Sequence, residues 1–140
     1  MGVIHLIRHG APAVYGVLLG QTDVPLLAPP PPSELRVQAV FSSPLIRARD
    51  TAAALFPPFE ITIVPDLAEI SHGQWDGLTW AEVEQRDTAL AARKLADWFG
   101  VPAPGGECHA AVLRRAASAL AFIRKRSGPA AVVAHAGINA

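Results

Sequence analysis

Four short apolar runs, residues 3–7, 37–41, 61–64 and 130–134, punctuate this chain, and two of them deliver a histidine at their carboxyl end. Each is too short for a helix and too apolar for a loop, so each reads as a buried strand. Residues 61–64, Ile-Thr-Ile-Val, are β-branched throughout, which suits a pleated surface. Between the runs lie stretches with helical periodicity. The first, 44–56, has Ser43 as its expected N-cap, Pro44 at the first helical position, and Leu45, Ala48, Ala52 and Leu55 on one face. The second, 79–99, begins at a capping Thr79 and is interrupted near Asp87. The third, 107–126, carries the stripe Val112, Ala116, Ala119, Leu120 and Ile123. Strands alternating with helices predict an α/β three-layer sandwich around a mostly parallel sheet. Right-handed crossovers place every strand's carboxyl end on one edge of that sheet.

That edge then collects chemistry from distant parts of the chain: Arg8-His9-Gly10, Arg47, the irregular loop 66–77 with Glu69, and His135-Ala136-Gly137. Open α/β sheets bind ligands there. The two arginines present forked donors that match phosphate oxygens. Helix amino termini after residues 43 and 135 add N–H groups. A neutral imidazole in such a pocket can act as a nucleophile and form a covalent intermediate. A second, cationic imidazole would stabilise charge on the phosphoryl oxygens. Glu69 could protonate a leaving alkoxide if nearby phosphate charge raises its pKa. The loops between elements are 11–28, with the polyproline segment 29–32 behind it, and 100–106, rich in Pro and Gly. Residues 33–38 could hold at most one or two helical turns.

Composition narrows the class further. The 140 residues suit a single domain, 1–140, with its own core. Twelve basic residues balance twelve acidic ones, so no charge excess points to nucleic acid or an anionic membrane. No run reaches the roughly 18 apolar residues of a membrane span. Cys108 is the sole cysteine, which makes a reducing cytoplasm the expected location. No two of the five histidines sit at i, i+4 on one helix, which argues against a metal site. His5 reads as a packed core histidine, His72 and His109 as loop and helix-surface residues. Trp75 and Trp80 are candidates for a substrate mouth, and Trp98 for helix packing.

Five motifs occur in order: Leu-Ile-Arg8-His9-Gly10, Ser42-Ser43-Pro44-Leu45-x-Arg47-Ala48-x-x-Thr51-Ala52, Glu69-x-x-x-Gly73-x-Trp75-x-Gly77, Pro104-Gly105-Gly106-Glu107 and Val-Val-Ala-His135-Ala-Gly137. Together they resemble the histidine phosphatase superfamily, with its phosphoglycerate-mutase-like fold, over essentially the whole chain. The resemblance implies that His9 is the phosphorylated nucleophile, that Arg8, Arg47 and His135 hold the phosphoryl group, and that Glu69 is the proton donor. It implies no metal and no cofactor. The segments Gly20-Gln21-Thr22-Asp23-Val24-Pro25-Leu26, Gly73-Gln74-Trp75-Asp76-Gly77 and Pro104-Gly105-Gly106-Glu107 look most like the α-ribazole phosphatases of cobalamin synthesis, and they also suit small broad-specificity bacterial phosphatases. The expected partner is therefore a small phosphorylated metabolite, and the expected reaction is phosphomonoester hydrolysis. Phosphoglycerate mutases resemble the chain less, because 140 residues leave no room for their long insertions.

Three departures bear on that expectation. Where relatives carry Glu or Gln, Thr and then Asn, this chain has Ala11, Pro12 and Tyr15; the missing phosphate contact is expected from Gln21 or Thr22. The helix that normally precedes the second strand is replaced by prolines. Relatives continue well past His135, so the fold is expected to be shortened at its carboxyl end. Residues 3–7 would then be a bare sheet edge, a pairing liability that a homodimer could cover. A second reading therefore stands beside the enzyme: a catalytically weak module of the same fold that binds phosphate or phosphoprotein.

Overall fold

A computed structural model describes residues 3–126 and 128–139. Its sheet has four parallel strands, β1 (Ile4–Arg8), β2 (Ala39–Ser42), β3 (Ile61–Ile63) and β4 (Ala130–Ala134), in the order β1-β4-β2-β3. The helices are α1 (Ile46–Leu55), α2 (Trp80–Arg86), α3 (Thr88–Ala96), α4 (His109–Ile123) and a short α5 (Ala136–Asn139). Two 3₁₀ turns, Pro65–Leu67 and Gly73–Trp75, shape the loop after β3. None of the described helices is long and apolar enough to cross a membrane.

Strand β4 explains the layering. All five of its residues are buried, as a central parallel strand covered on both faces requires. Successive side chains point to opposite faces. Ala130, Val132 and Ala134 pack with Phe41 against Val112, Ala119 and Ile123 of α4. Ala131 and Val133 pack with Val40 against Ala48 and Ala52 of α1. Alanines at three of the five β4 positions bring the helices close, and the result is the expected three-layer sandwich. A smaller cluster of Trp75, Val83, Ala91 and Ala103 ties α2 and α3 to the loops above the sheet.

Strand β1 is the bare sheet edge expected of residues 3–7, not the buried strand that its apolarity alone suggests. It pairs only with β4 and is an edge, with Leu6 58% exposed. Beside it lies an apolar groove of about 330 Å³, lined by Ile4, Leu6, Leu113, Leu120 and Ile138 among others. His5 is half-buried on this edge strand rather than packed in the core.

Local signals set the helix ends for which the sequence offers a cap or a break, with one exception; α3 and α4 start without a side-chain cap. Thr79 and Glu82 form the reciprocal capping box of α2, and the helical stretch does break at Asp87. Asp87 has left helical geometry because its carboxylate accepts the indole N–H of Trp75 at 2.7 Å. Trp75 is thus fully buried and lines no substrate mouth. The exception is Ser43. The helix starts three residues later, at Ile46, whose N–H is capped by Asp23 Oδ1 at 2.7 Å. Residues 29–38 form no helix.

Candidate active site

The sheet register aligns the three strand ends that matter. Arg8 lies opposite Ala134. The ladder extends one step further, with His9 N–H donating to the Ala134 carbonyl at 3.1 Å and Ser43 N–H to the Val133 carbonyl at 3.0 Å. His9, Ser43 and His135 therefore stand side by side. The two imidazole centroids are 5.1 Å apart.

His9 is oriented by its own backbone. Its Nδ1 lies 2.6 Å from the Gly10 carbonyl oxygen. A carbonyl only accepts, so the ring hydrogen is on Nδ1 and the lone pair is on Nε2. Arg47 Nε–H points at that Nε2 from 3.4 Å. Burial holds the His9 pKa below the ordinary imidazole value; the Gly10 bond opposes this, and the Arg47 and Arg8 charges reinforce it. Gly10 N–H is in turn anchored on Thr51 Oγ1 at 2.9 Å, and that hydroxyl donates to the Arg47 carbonyl at 2.7 Å. The loop of residues 8–10 and the first turns of α1 are one hydrogen-bonded unit.

Arg47 is almost completely buried. Its two terminal nitrogens donate to the carbonyls of Thr22 (2.8 Å) and Gly20 (2.7 Å). Those carbonyls are presented by a loop that Asp76 organises: its carboxylate accepts the N–H groups of Gly20, Gln21 and Thr22 at 2.9, 2.9 and 3.3 Å. A side chain at Gly20 would put its Cβ 2.5 Å from the Ile70 carbonyl oxygen, so only glycine lets the two loops touch here.

His135 is fully buried. Its Nε2 is 2.8 Å from Ser43 Oγ. Its Nδ1 is buried without a hydrogen-bond partner. Burial first, then the charges of Arg47, His9, Arg8 and Arg115, drive its pKa down to about 3. The expected cationic form is that of a ring beside a phosphate; burial and the surrounding positive charges by themselves favour the neutral ring. The same bond explains why Ser43 does not cap α1; its hydroxyl is committed to His135 and to Leu45 N–H.

Glu69 is buried beside the histidines. Its two oxygens accept Ile70 N–H at 2.8 Å and Gly137 N–H at 3.1 Å. Its loop is held from below by Arg115 of α4, which donates to the carbonyls of Asp66 (2.7 Å), Ala68 (2.9 Å) and Glu69 (3.5 Å). Arg115 is fixed in turn by a two-point ion pair with Glu107 at 2.9 and 2.8 Å. Burial alone would push the Glu107 carboxyl up, but the Arg115 and Ser71 hydrogen bonds hold it below the usual range.

The structure thus brings His9, Arg47, Glu69 and His135 together. Arg8 is exposed at the rim, near enough for its charge to be felt by both imidazoles. Gln21 and Thr22 border the site through bonds to its residues. Gln21 Nε2 donates to the Glu69 carbonyl at 3.1 Å and towards Glu107 at 3.4 Å, while Thr22 serves through its carbonyl. A buried lone pair flanked by a guanidinium and a carboxyl group can receive an electrophilic phosphoryl group and manage the accompanying proton.

The sequence model of the histidine phosphatase superfamily (branch 1) matches residues 32–140. The chain belongs to this superfamily. Over 81 residues, 56% of this chain, it is 47% identical to the bifunctional protein Rv2228c of Mycobacterium tuberculosis strain H37Rv, and this covers 22% of that protein. The chain therefore spans about a fifth of the length of the curated relatives it matches. Its fold superposes on the α-ribazole phosphatase from Shigella flexneri with a TM-score of 0.83, at 23% identity, covering 97% of this chain and 75% of that one. For TTHB049 from Thermus thermophilus the TM-score is 0.72 at 30% identity, covering 96% and 79%.

For this histidine phosphatase superfamily member, several supports escaped the sequence reading. Asp76, Thr51, Ser43 and the Glu107–Arg115 pair touch the site residues or their loops. Asp76 and Thr51 lie inside the motifs quoted above, which was the available signal; Arg115 lies in none, and only the packing of α4 on the 66–69 segment reveals it.

The buried histidines carry a pH signature. His9, His72 and His135 are all pulled below the ordinary imidazole value, with burial the largest cause in each. The unfolded chain binds these protons more readily than the folded one. Stability is therefore complete above about pH 6.5 and falls as the pH drops from there towards the folded values. With a folded value of about 3 for His135, that residue alone costs about 2 kcal/mol at pH 5. Denaturant midpoints should decline between pH 7.5 and 5, and His135→Asn should flatten the decline; a midpoint that stays level in the wild type would refute this account.

Proposed function

We propose that the protein is a phosphomonoesterase working through a phosphohistidine on His9. The observation that carries this reading is the Nε2 lone pair of a neutral His9, which accepts only a long hydrogen bond from Arg47 at 3.4 Å and has the His135 ring beside it. In the first step Nε2 attacks phosphorus as the ester P–O bond breaks, and Glu69 in its acid form gives its proton to the departing alkoxide. Arg47, Arg8 and His135 surround the phosphoryl oxygens, and developing charge on them raises the affinity of His135 for a proton. In the second step water attacks phosphorus, the P–N bond breaks, and the Glu69 carboxylate takes the water's proton. The residues supply every proton transfer themselves, so turnover is expected to survive EDTA.

The substrate is a small phosphoester. Likeness to the Shigella flexneri enzyme makes α-ribazole 5′-phosphate one candidate. The opposing reading, a phosphate- or phosphoprotein-binding module, draws on Ala11 and Tyr15, both exposed and outside the site. Release of p-nitrophenol from p-nitrophenyl phosphate in the presence of EDTA decides between them. Turnover equal to buffer in a folded sample would favour the module.

Gly137 gives a finer test of Glu69. A Cβ at this position would stand 2.4 Å from Glu69 Oε1. The carboxyl group is the flexible end, so Gly137→Ala should push it aside and leave the fold intact. We expect kcat to fall by about 10²-fold with an unchanged unfolding midpoint. Wild-type kcat in that variant would remove Glu69 from the proton-transfer role.

A further inference from the structure

The two edges of the sheet differ in how they are guarded. Strand β3 spans three residues and is bounded by Pro57-Pro58 and Pro65, which hinder the addition of another strand. Strand β1 spans five residues, and no proline or lysine lies between residues 3 and 11. Its outer side carries unpaired backbone. Ala130 N–H donates to the Val3 carbonyl at 2.9 Å and His9 N–H to the Ala134 carbonyl at 3.1 Å. The odd-numbered residues of the strand therefore bond to β4. The N–H and C=O groups of Ile4, Leu6 and Arg8 point away from the sheet, and none has a hydrogen-bond partner among the described residues.

The side chains above this edge suit the same kind of partner. Ile4 and Leu6 stand on the α4 side of the strand and border the groove of about 330 Å³, to which α4 adds Leu113, Ala116, Ala117 and Leu120. None of the lining residues is charged, and Leu6 and Leu113 are each at least half exposed. The groove thus calls for an apolar strand, and β1 is itself one. Antiparallel pairing of two β1 strands about a two-fold axis through Leu6 sets Leu6 opposite Leu6 and Ile4 opposite Arg8. Facing residues whose polar groups point outward exchange both hydrogen bonds, so this register satisfies every outward group on both copies. A shift by two residues sets Arg8 or Ile4 opposite a residue outside the strand. The two Arg8 residues stand about 13 Å apart along the strands, beyond a physiological Debye length. The two α4 helices then lie on one side of a continuous sheet, with their Leu113–Leu120 flanks facing each other.

We propose that β1 is the interface of a two-fold symmetric homodimer, in which two copies join their sheets edge to edge through Ile4, Leu6 and Arg8 and close their apolar grooves against each other. Such a contact uses the same patch on both copies and closes on itself. It occupies the unguarded edge and leaves only β3, the guarded one, so assembly stops at two. Pairing also holds the Arg8 backbone, one residue before His9, from both sides. The dimer does not depend on the phosphatase reading.

Sedimentation velocity at concentrations from about 1 to about 200 μM tests the pairing. We expect the mean mass to rise from one chain to two and to stop there, with a dissociation constant of about 10 μM or tighter. Leu6→Pro removes an outward N–H and adds a ring at the edge without touching a β4 bond; Leu6→Lys puts a charge on the axis. Each should weaken association by about tenfold or more, and unfolding midpoints of dilute samples check that both variants fold. Cross-linking tests the register in a Cys108→Ser background. Leu6→Cys should form a disulfide-linked dimer, since facing Cα atoms stand about 5.5 Å apart. Ile4→Cys, about 13 Å from its mate, should not. A wild type that stays monomeric throughout overturns the proposal. So does a dimer that either Leu6 variant leaves at wild-type affinity, which would place the interface elsewhere. Cross-linking that fails at residue 6, or runs as readily at residue 4, refutes the two-fold register. A mass that climbs past two chains refutes the closed pairing.

Discussion

His9→Ala should abolish p-nitrophenyl phosphate hydrolysis, with a loss of about 10³-fold or more in kcat. The size follows from the role. Without the imidazole no covalent intermediate forms, and Arg47 and His135 can only bind the phosphoryl group. The variant should keep its fold, because His9 is only half-buried and its side chain bonds only to the adjacent Gly10 carbonyl and, weakly, to Arg47. Acid-labile phosphate should appear on the wild type after brief exposure to substrate and be absent from His9→Ala. A variant that retains more than about a tenth of wild-type turnover, or that still carries labelled phosphate, would move the nucleophile elsewhere.

Arg47→Met combines the largest loss of stability with a large loss of activity. Arg47 is 1% exposed, and its guanidinium satisfies the carbonyls of Gly20 and Thr22. Methionine fills much of the same volume but offers no donor. Two acceptors are left without partners, one of them buried, at about 2–4 kcal/mol together. The 20–23 loop then keeps only the Asp23 bond to Ile46 N–H as its hold on α1, and the phosphoryl group loses its buried cation, so kcat/KM should fall by about 10²-fold or more. Chemical denaturation and steady-state kinetics measure the two losses separately. Unchanged stability would mean that the Asp76 and Asp23 bonds hold the loop without Arg47.

The outline of the fold was legible because it rests on local patterns. Residues 130–134 are apolar throughout and flanked by breakers, and they form the fully buried central strand. The capping box at Thr79 and the break at Asp87 are short-range features, and both are present. The start of α1 was misread because a good N-cap residue, Ser43, was claimed by His135, 92 residues away; no local rule can see such a competitor. Trp75 was misplaced for the same reason, since its indole is drawn inward by Asp87.

The gathering of His9, Arg47, Glu69 and His135 could be anticipated because parallel strands with helical crossovers place their carboxyl ends on one edge, whatever the details. The sequence alone therefore determined the sheet, its edge and the residues delivered to it. Only the tertiary structure decided their states: that His9 bears its hydrogen on Nδ1, that the buried His135 ring favours its neutral form, and that Arg47 is gripped by two carbonyls. The reason is physical. Periodicity is a property of neighbouring residues, whereas tautomer, charge and hydrogen-bond partner depend on burial and on groups that only folding brings within reach.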